Sequence, residues 1–394
     1  MPIILLFCFG FGAQAGDWTE DFLLRRFQDQ NPIELETKAR IAIAGAETRA
    51  RTLWANPSVN VTREGAGRTE FYQAAQSLPL NGRIGLLRQA GIEQSTVIAA
   101  EGKDVVWRAR CSLRSAFYRL VASQLRMAAW TDSLHQIDQI IGVLQLREQT
   151  GEGSRFDRLR AERERAEWAV LSGQLSAEID LIRGELLSFL PLGEEIQMTS
   201  GSLATRQPGY SIAEARSRAF RNRADLEGEK LRQDVLRSEQ RAAERLRIPD
   251  PVVNAGFKRA DAGLPRLETG PVFGVSLSLP LFNQGQAEVS RYAAEQKRSR
   301  ARLEQLQRRA AAFVDAAWQS FQRHRGLSDS YSTASVTELI SIARIAYAEG
   351  EIGILQLLDA YRTARECQLR KIDLESNAKQ AQILLEQQLG EELP

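Results

Sequence analysis

The chain is poor in side chains that carry out chemistry. Its only histidines, His135 and His324, stand alone in helical sequence, with no second His or Cys three or four residues away to begin a zinc site. Met127 and Met198 are too far apart to form a soft-metal cluster. There is no phosphate-binding glycine loop and no nucleophile elbow. What remains is a group of acids, Glu148, Glu152, Glu349 and Glu351, beside two short glycine-bearing turns. Repeated around a symmetry axis, each acid would form a ring of negative charge able to concentrate cations. The same residues also read as solvated charges at helix ends. The residues therefore offer electrostatic selection and no catalysis, and they call for no cofactor and no metal ligand.

The elements that would position these acids are written twice, about 200 residues apart. Pro57-Ser58-Val59-Asn60-Val61 returns as Pro251-Val252-Val253-Asn254-Ala255, and Ser77-Leu78-Pro79-Leu80 returns as Ser278-Leu279-Pro280-Leu281. A glycine, Gly82 or Gly285, follows each time just before a long polar helix, so Pro79-Gly82 and Pro280-Gly285 read as strand-to-helix turns. Thr150-Gly151 returns as Glu349-Gly350. No proline occurs between Pro79 and Pro191 or between Pro280 and Pro394, which leaves long stretches free of the strongest helix breaker.

The pattern predicts a first repeat over 16–205, with a hairpin at 57–78, a long helix at 83–149 and a return helix at 154–190. A second repeat covers 206–394, with a helix at 211–247, a hairpin at 251–280, a long helix at 286–348 and a return helix at 354–392. The first long helix alone would measure roughly 100 Å at about 1.5 Å per residue. Each return helix is shorter than its long partner, and the helix before each hairpin, 33–54 or 224–247, supplies the missing length. Apolar positions such as Phe156, Leu159, Leu175, Ile179 and Ile182, and Leu358, Tyr361, Ile372 and Leu385, suit a coiled-coil seam. Counted from the turns, Cys111 and Cys367 are offset by roughly 30 Å along the helices, far beyond the reach of a disulfide.

Composition fits this layout. With 394 residues, 26% charged and a formal charge of +2 spread over both halves, no basic block points to nucleic acid. Residues 1–15 are apolar and end in Ala13-Gln14-Ala15, which reads as a signal peptide and so as export. Nothing later is apolar enough for a membrane helix, so a membrane location would require strands. In 269–280, Phe273, Val275, Leu277 and Leu279 alternate with Gly274, Ser276 and Ser278, giving a lipid-facing row backed by small or polar residues. Strand 251–259 precedes it across a polar loop from Ala260 to Glu268. In the first half Tyr72, Ala74 and Leu78 occupy the equivalent face, with Gln76 as an exception. An amphipathic hairpin on a soluble core would show the same alternation. Four strands cannot close a barrel, and an open edge in hydrocarbon leaves backbone groups unpaired, so in a membrane the chain must share a barrel with other copies.

Several motifs together resemble outer-membrane factors of the TolC type. They are Asn31-Pro32-Ile33-Glu34 and Asn222-Arg223-Ala224-Asp225-Leu226, Ala55-Asn56-Pro57-Ser58-Val59, Leu279-Pro280-Leu281-Phe282-Asn283-Gln284-Gly285, and Ala346-Tyr347-Ala348-Glu349-Gly350-Glu351-Ile352-Gly353-Ile354-Leu355-Gln356-Leu357-Leu358-Asp359-Ala360. The strand exits resemble the CzcC-like heavy-metal efflux branch, although Pro79-Leu80-Asn81-Gly82-Arg83 is shorter than that branch's first exit.

The resemblance implies a mainly α fold with a small β portion. Three copies would share a 12-stranded outer-membrane barrel, continued into the periplasm by a helical barrel. It further implies a tripartite efflux system in which Thr150, Gly151, Gly153, Gly350, Glu351 and Gly353 meet a periplasmic adaptor joined to an inner-membrane resistance-nodulation-division pump. A drug or type I protein export duct of the same fold is the alternative. A soluble periplasmic coiled-coil adaptor or scaffold is the rival from another class.

Overall fold

A computed structural model of the protein describes residues 18–29, 31–65, 69–196, 198–261 and 267–394. The expected signal peptide at 1–15 lies outside the described residues. In chain order the elements are α1 (Glu20–Asp29), α2 (Pro32–Thr52), β1 (Ser58–Glu64), β2 (Thr69–Ser77), α3 (Arg83–Gln149), α4 (Arg155–Leu187), α5 (Ile212–Asn222), α6 (Ala224–Glu244), β3 (Pro251–Asp261), β4 (Leu267–Leu277), α7 (Gln286–Ser330), α8 (Ala334–Ala348) and α9 (Ile354–Leu389). They form two compact units. One comprises Pro32–Val106 and Phe220–Ala312; the other comprises the residues up to Asn31, Trp107–Ala219 and Phe313–Pro394.

The first unit holds the sheet, with strands in the order β1-β2-β3-β4 and every pairing antiparallel. The two hairpins lie side by side because β2 pairs with β3, matching Tyr72 to Phe257 and Ala74 to Ala255. The expected loop from Ala260 to Glu268 is shorter than the sequence indicates. Ala260 pairs with Glu268 and Asp261 with Leu267, so the ladder runs past the polar residues and only 262–266, with Gly263 and Pro265, are left between the strands. Tyr72 stacks on Phe257 with ring centroids 5.1 Å apart, a cross-strand aromatic pair of the kind that fixes register. At Gly256 the chains come unusually close. A Cβ there would run into the Tyr72 carbonyl oxygen and stand 2.8 Å from the Gln73 Cα, so only glycine fits.

In the same unit, buried apolar residues such as Leu87, Val97, Ile98, Leu226 and Val235 are accompanied by polar links between helices. Both Glu239 oxygens, on α6, accept from Arg51 of α2 at 2.7 and 2.8 Å, and one also accepts from the Tyr292 hydroxyl of α7 at 3.0 Å. Burial pushes the Glu239 carboxyl up, but Arg51 and Tyr292 outweigh it and hold it below its ordinary value. Glu229 accepts from Ser299 at 2.7 Å, and Glu101 of α3 accepts from Arg40 at 3.0 Å and from Arg232.

The second unit pairs α3 with α4 through Arg126–Glu178 and Arg165–Asp138. It has an apolar cluster of Val314, Ala317 and Phe321 of α7 with Ala381, Leu385 and Leu389 of α9. Arg114 is buried between Glu386 and Glu20, and the Tyr118 hydroxyl donates to Glu20. The segment between α4 and α5 is tied in by Lys379, which donates to the Ala204 carbonyl at 3.1 Å, and by the Arg206 amide, which donates to Gln382 at 3.0 Å.

Two expected helices are broken. The span 286–348 is two helices, α7 and α8, separated by Tyr331-Ser332-Thr333. Hydroxyl groups there compete with the helix ladder: Ser330 donates to the Leu327 carbonyl at 3.1 Å, and the Ser332 oxygen accepts from the Ala334 amide at 3.2 Å. The span 211–247 is α5, α6 and a 3-10 turn at Arg245–Arg247, parted at Arg223, whose backbone is extended (φ −69°, ψ 116°). Asp225 in the next turn accepts from the Leu226 amide at 2.9 Å and from Arg223 at 2.8 Å, satisfying an orphan donor at the new helix start.

Two outcomes follow from these contacts. Gly256→Ala should destabilise the sheet by about 1–3 kcal/mol, whereas Gly274→Ala, with only Asn254 atoms at 3.8 and 3.9 Å, should change thermal stability little. Because the folded Glu239 carboxyl titrates below 4.5, its contribution is complete above that pH and is lost as pH falls through the depressed value. Glu239→Gln should therefore cost about 2 kcal/mol at pH 7, discounted for the half-exposed Arg51, and should flatten the acid limb of a stability-versus-pH profile.

Candidate functional site

The register sorts the sheet into two faces. Opposed residues of an antiparallel ladder share a face, so Val61, Tyr72, Phe257 and Pro271 form one row and Val59, Ala74, Ala255 and Phe273 the next. Gln76, Val253 and Val275 continue it, followed by Pro251 and Leu277. Phe273 is 79% exposed and Val275 74%, an apolar surface with nothing covering it. Gln76, the polar exception, turns its amide to the sheet's end and donates to the Ala55 and Ser77 carbonyls at 2.9 and 2.8 Å. The opposite face carries Asn60, Gln73, Gly256 and Val272 in one row and Ser58, Ala75, Asn254 and Gly274 in the next. Lys258 is the one charge in the row beyond, with Thr62, Phe71 and Gly270. Among the described residues β1 and β4 each pair on one side only.

Both strand exits are built alike. The Leu80 amide donates to the Leu78 carbonyl across Pro79, and the Leu281 amide to the Leu279 carbonyl across Pro280, each at 2.9 Å. Asn81 and Asn283 then accept from the amide two residues on, at 2.9 and 3.1 Å. Gly82 and Gly285 follow with φ of +75° and +80°.

The two helical turns also close in the same way. Gly151 and Gly350 have φ of +79° and +80°. The next amide, of Glu152 or Glu351, reaches back to the Arg147 or Ala346 carbonyl at 2.8 Å, the hydrogen bond of a Schellman cap. Thr150 donates its hydroxyl to the Leu146 and Arg147 carbonyls. Gly153 sits where a Cβ would stand 2.8 Å from that of Arg147, and Gly353 is the cap of α9, its amide donating to Gln356 at 3.1 Å. The four acids are not equivalent. Glu148 accepts from Arg158 at 2.6 Å, and Arg158 also binds Glu162. Glu152, Glu349 and Glu351 are exposed and make no ion pair among the described residues.

Links from α3 and α4 to α8 and α9 escaped the sequence reading. The Arg147 guanidinium lies over the Tyr347 ring, 5.3 Å from its centroid. Arg365 of α9 is sandwiched between Trp130 of α3 and Trp168 of α4, at 4.6 and 4.3 Å, and is only 7% exposed. Burial lowers its pKa, and the indole faces supply the electrostatic compensation that water would otherwise give. Glu164 of α4 accepts from Trp168 at 2.7 Å and from Arg362 of α9 at 2.8 Å, while Arg126 of α3 meets Asp373 of α9 at 3.0 Å. One sequence signal existed: Arg365 stands one heptad from both Leu358 and Ile372, a charge placed in an apolar seam.

Among the described residues no group of three His, Cys, Asp or Glu is placed to hold a metal ion, and no helix is long and apolar enough to cross a membrane. Cys111 and Cys367 are free, and burial pushes the Cys111 thiol up to about 12, which leaves it unreactive.

The profile of the outer membrane efflux protein family matches residues 215–391. No curated protein matches the sequence. Among solved structures, a membrane protein from Pseudomonas aeruginosa superposes with a TM-score of 0.77 at 18% identity, covering 95% of this chain and 90% of its own. CusC, described for its folding and transmembrane channel formation, gives 0.76 at 16% identity with 94% and 92% covered. The outer membrane protein VceC of Vibrio cholerae gives 0.74 at 15% identity with 95% and 97% covered. Residues 215–391 thus match the outer membrane efflux protein family, and the chain as a whole shares the fold of these solved channel structures.

Proposed function

We propose that this chain is one of three copies forming an outer-membrane exit duct, which receives substrate from a periplasmic adaptor and an inner-membrane resistance-nodulation-division pump. The observation that carries this reading is the sheet: one face is apolar and exposed, the other carries Asn60, Gln73, Asn254 and Lys258 among small residues with Phe71 and Val272, and among the described residues neither outer edge is paired. Lipid covers such an apolar face at no cost, water wets the other, and edge-to-edge addition of further copies pairs the remaining backbone groups. Three copies supply twelve strands, enough to leave a passage where eight would be filled by side chains. A soluble adaptor or scaffold would have no use for this sheet.

The glycine-bearing turns, Thr150, Gly151, Gly153, Gly350, Glu351 and Gly353, are the periplasmic tips that meet the adaptor. Heavy-metal cations are the favoured cargo. The support is the resemblance of the strand exits to the metal-efflux branch and the exposed, unpaired acids Glu152, Glu349 and Glu351, which threefold symmetry turns into rings. Glu148 contributes less, since Arg158 already neutralises it. Export of drugs or protein is the second reading, favoured by one observation: the central rows of the water-facing side carry no acid and a lysine, Lys258, beside them.

Light scattering on the detergent-extracted protein, with detergent mass subtracted, should give three times the chain mass. A monomer in a soluble fraction would return the chain to the scaffold class. In single-channel recordings, Glu349→Gln with Glu351→Gln should lower cation preference several-fold, and Glu148→Gln should lower it less; selectivity that does not move would remove the ring assignment.

A further inference from the structure

The loop end of the apolar face carries charges that the duct reading does not use. One register row beyond Val61, Tyr72, Phe257 and Pro271 come Arg63, Glu70, Arg259 and Thr269, all on the same side of the sheet. The Arg63 side chain is 67% exposed, and its ion pair with Glu70 spans 3.9 Å. The Tyr72 hydroxyl donates to the other Glu70 oxygen at 3.0 Å, so the carboxylate is already shared. Arg259 is exposed and makes no ion pair among the described residues. The two arginines stand two strands apart, about 10 Å at the usual strand spacing.

We infer that Arg63 and Arg259 bind the phosphate of a lipid headgroup where the apolar band meets the outer leaflet. This rests on the proposed reading that the apolar face meets lipid. The chemistry is specific in two ways. Guanidinium forks match the oxygens of a phosphate in pairs, which an ammonium does not. Their place immediately past an aromatic row is the depth at which headgroups lie. Glu70 holds Arg63 to one side, and Thr269 adds a hydroxyl in the same row, so the row offers two separated cationic forks and a neutral donor. Exposed arginines on the water-filled side would bind free anions, but these lie on the opposite side from Lys258.

The test is native mass spectrometry of the full chain extracted in mild detergent, with bis-phosphorylated lipid A, the same lipid without phosphates, or inorganic phosphate added. The wild type should retain phosphorylated lipid in preference to the dephosphorylated form, and inorganic phosphate should not displace it. At about fivefold per arginine, Arg63→Gln with Arg259→Gln should weaken retention about 25-fold, while Lys258→Gln should leave it unchanged. Equal retention of both lipids, undiminished retention by the double variant, or displacement by inorganic phosphate would each overturn the site. The same spectra report the assembly mass. A threefold mass with phosphate-independent retention would leave the duct standing and end the headgroup proposal, whereas a single-chain mass would end both.

Discussion

A strand placed in hydrocarbon must find a partner for every backbone amide and carbonyl, and among the described residues the outer edges of β1 and β4 have none. That deficit, several kcal/mol for each unpaired group, makes the folded chain an incomplete object. It explains why two hairpins separated by a long stretch of sequence pair through β2 and β3. It also explains why the apolar face can stay bare in a single copy, since only in company does that face become the outside of a closed surface.

Beside the buried apolar residues, polar contacts recur between the helices. Buried carboxylates with two or three polar partners recur where helices meet: Glu239 with Arg51 and Tyr292, Glu229 with Ser299, Arg232 and Arg302, and Glu386 with Arg114 and Gln382. Such pairs contribute little net stability against an apolar alternative, but they are costly to break singly. They therefore act as register marks, fixing which turn of one helix meets which turn of the next. The Arg365 sandwich uses the same logic with indole faces in place of carboxylates.

What the sequence disclosed was whatever depends on local chemistry. Glycine at Gly151 and Gly350 announces turns because other residues rarely adopt the positive φ found there, and Pro79 and Pro280 do so because proline cannot donate to a strand ladder. Alternation exposed the apolar row through Phe273 and Val275 because side chains on a strand have a period of two. The break at Tyr331-Ser332-Thr333 was hidden, since it contains neither proline nor glycine and a few hydroxyl hydrogen bonds decide it, while the break at Arg223 was legible only as the start of the 224–247 count. Partners distant in sequence, such as Glu164 with Arg362 or Trp130 with Arg365, have no local signature at all. The loss of Glu148 from the free acids belongs to the same class, for Arg158 reaches it only across the turn.

The interruption between α7 and α8 makes the two repeats mechanically unlike. The first turn is reached along α3, a single rod with an unbroken hydrogen-bond ladder. The second is reached along α8, fifteen residues joined to α7 by three residues outside any helix, and leaves along the unbroken α9. Bending a helix strains many hydrogen bonds at once, whereas rotating about a short unwound joint strains few. A load applied equally to both turns would thus be borne by a stiff post and a compliant one, and the compliant post would yield first.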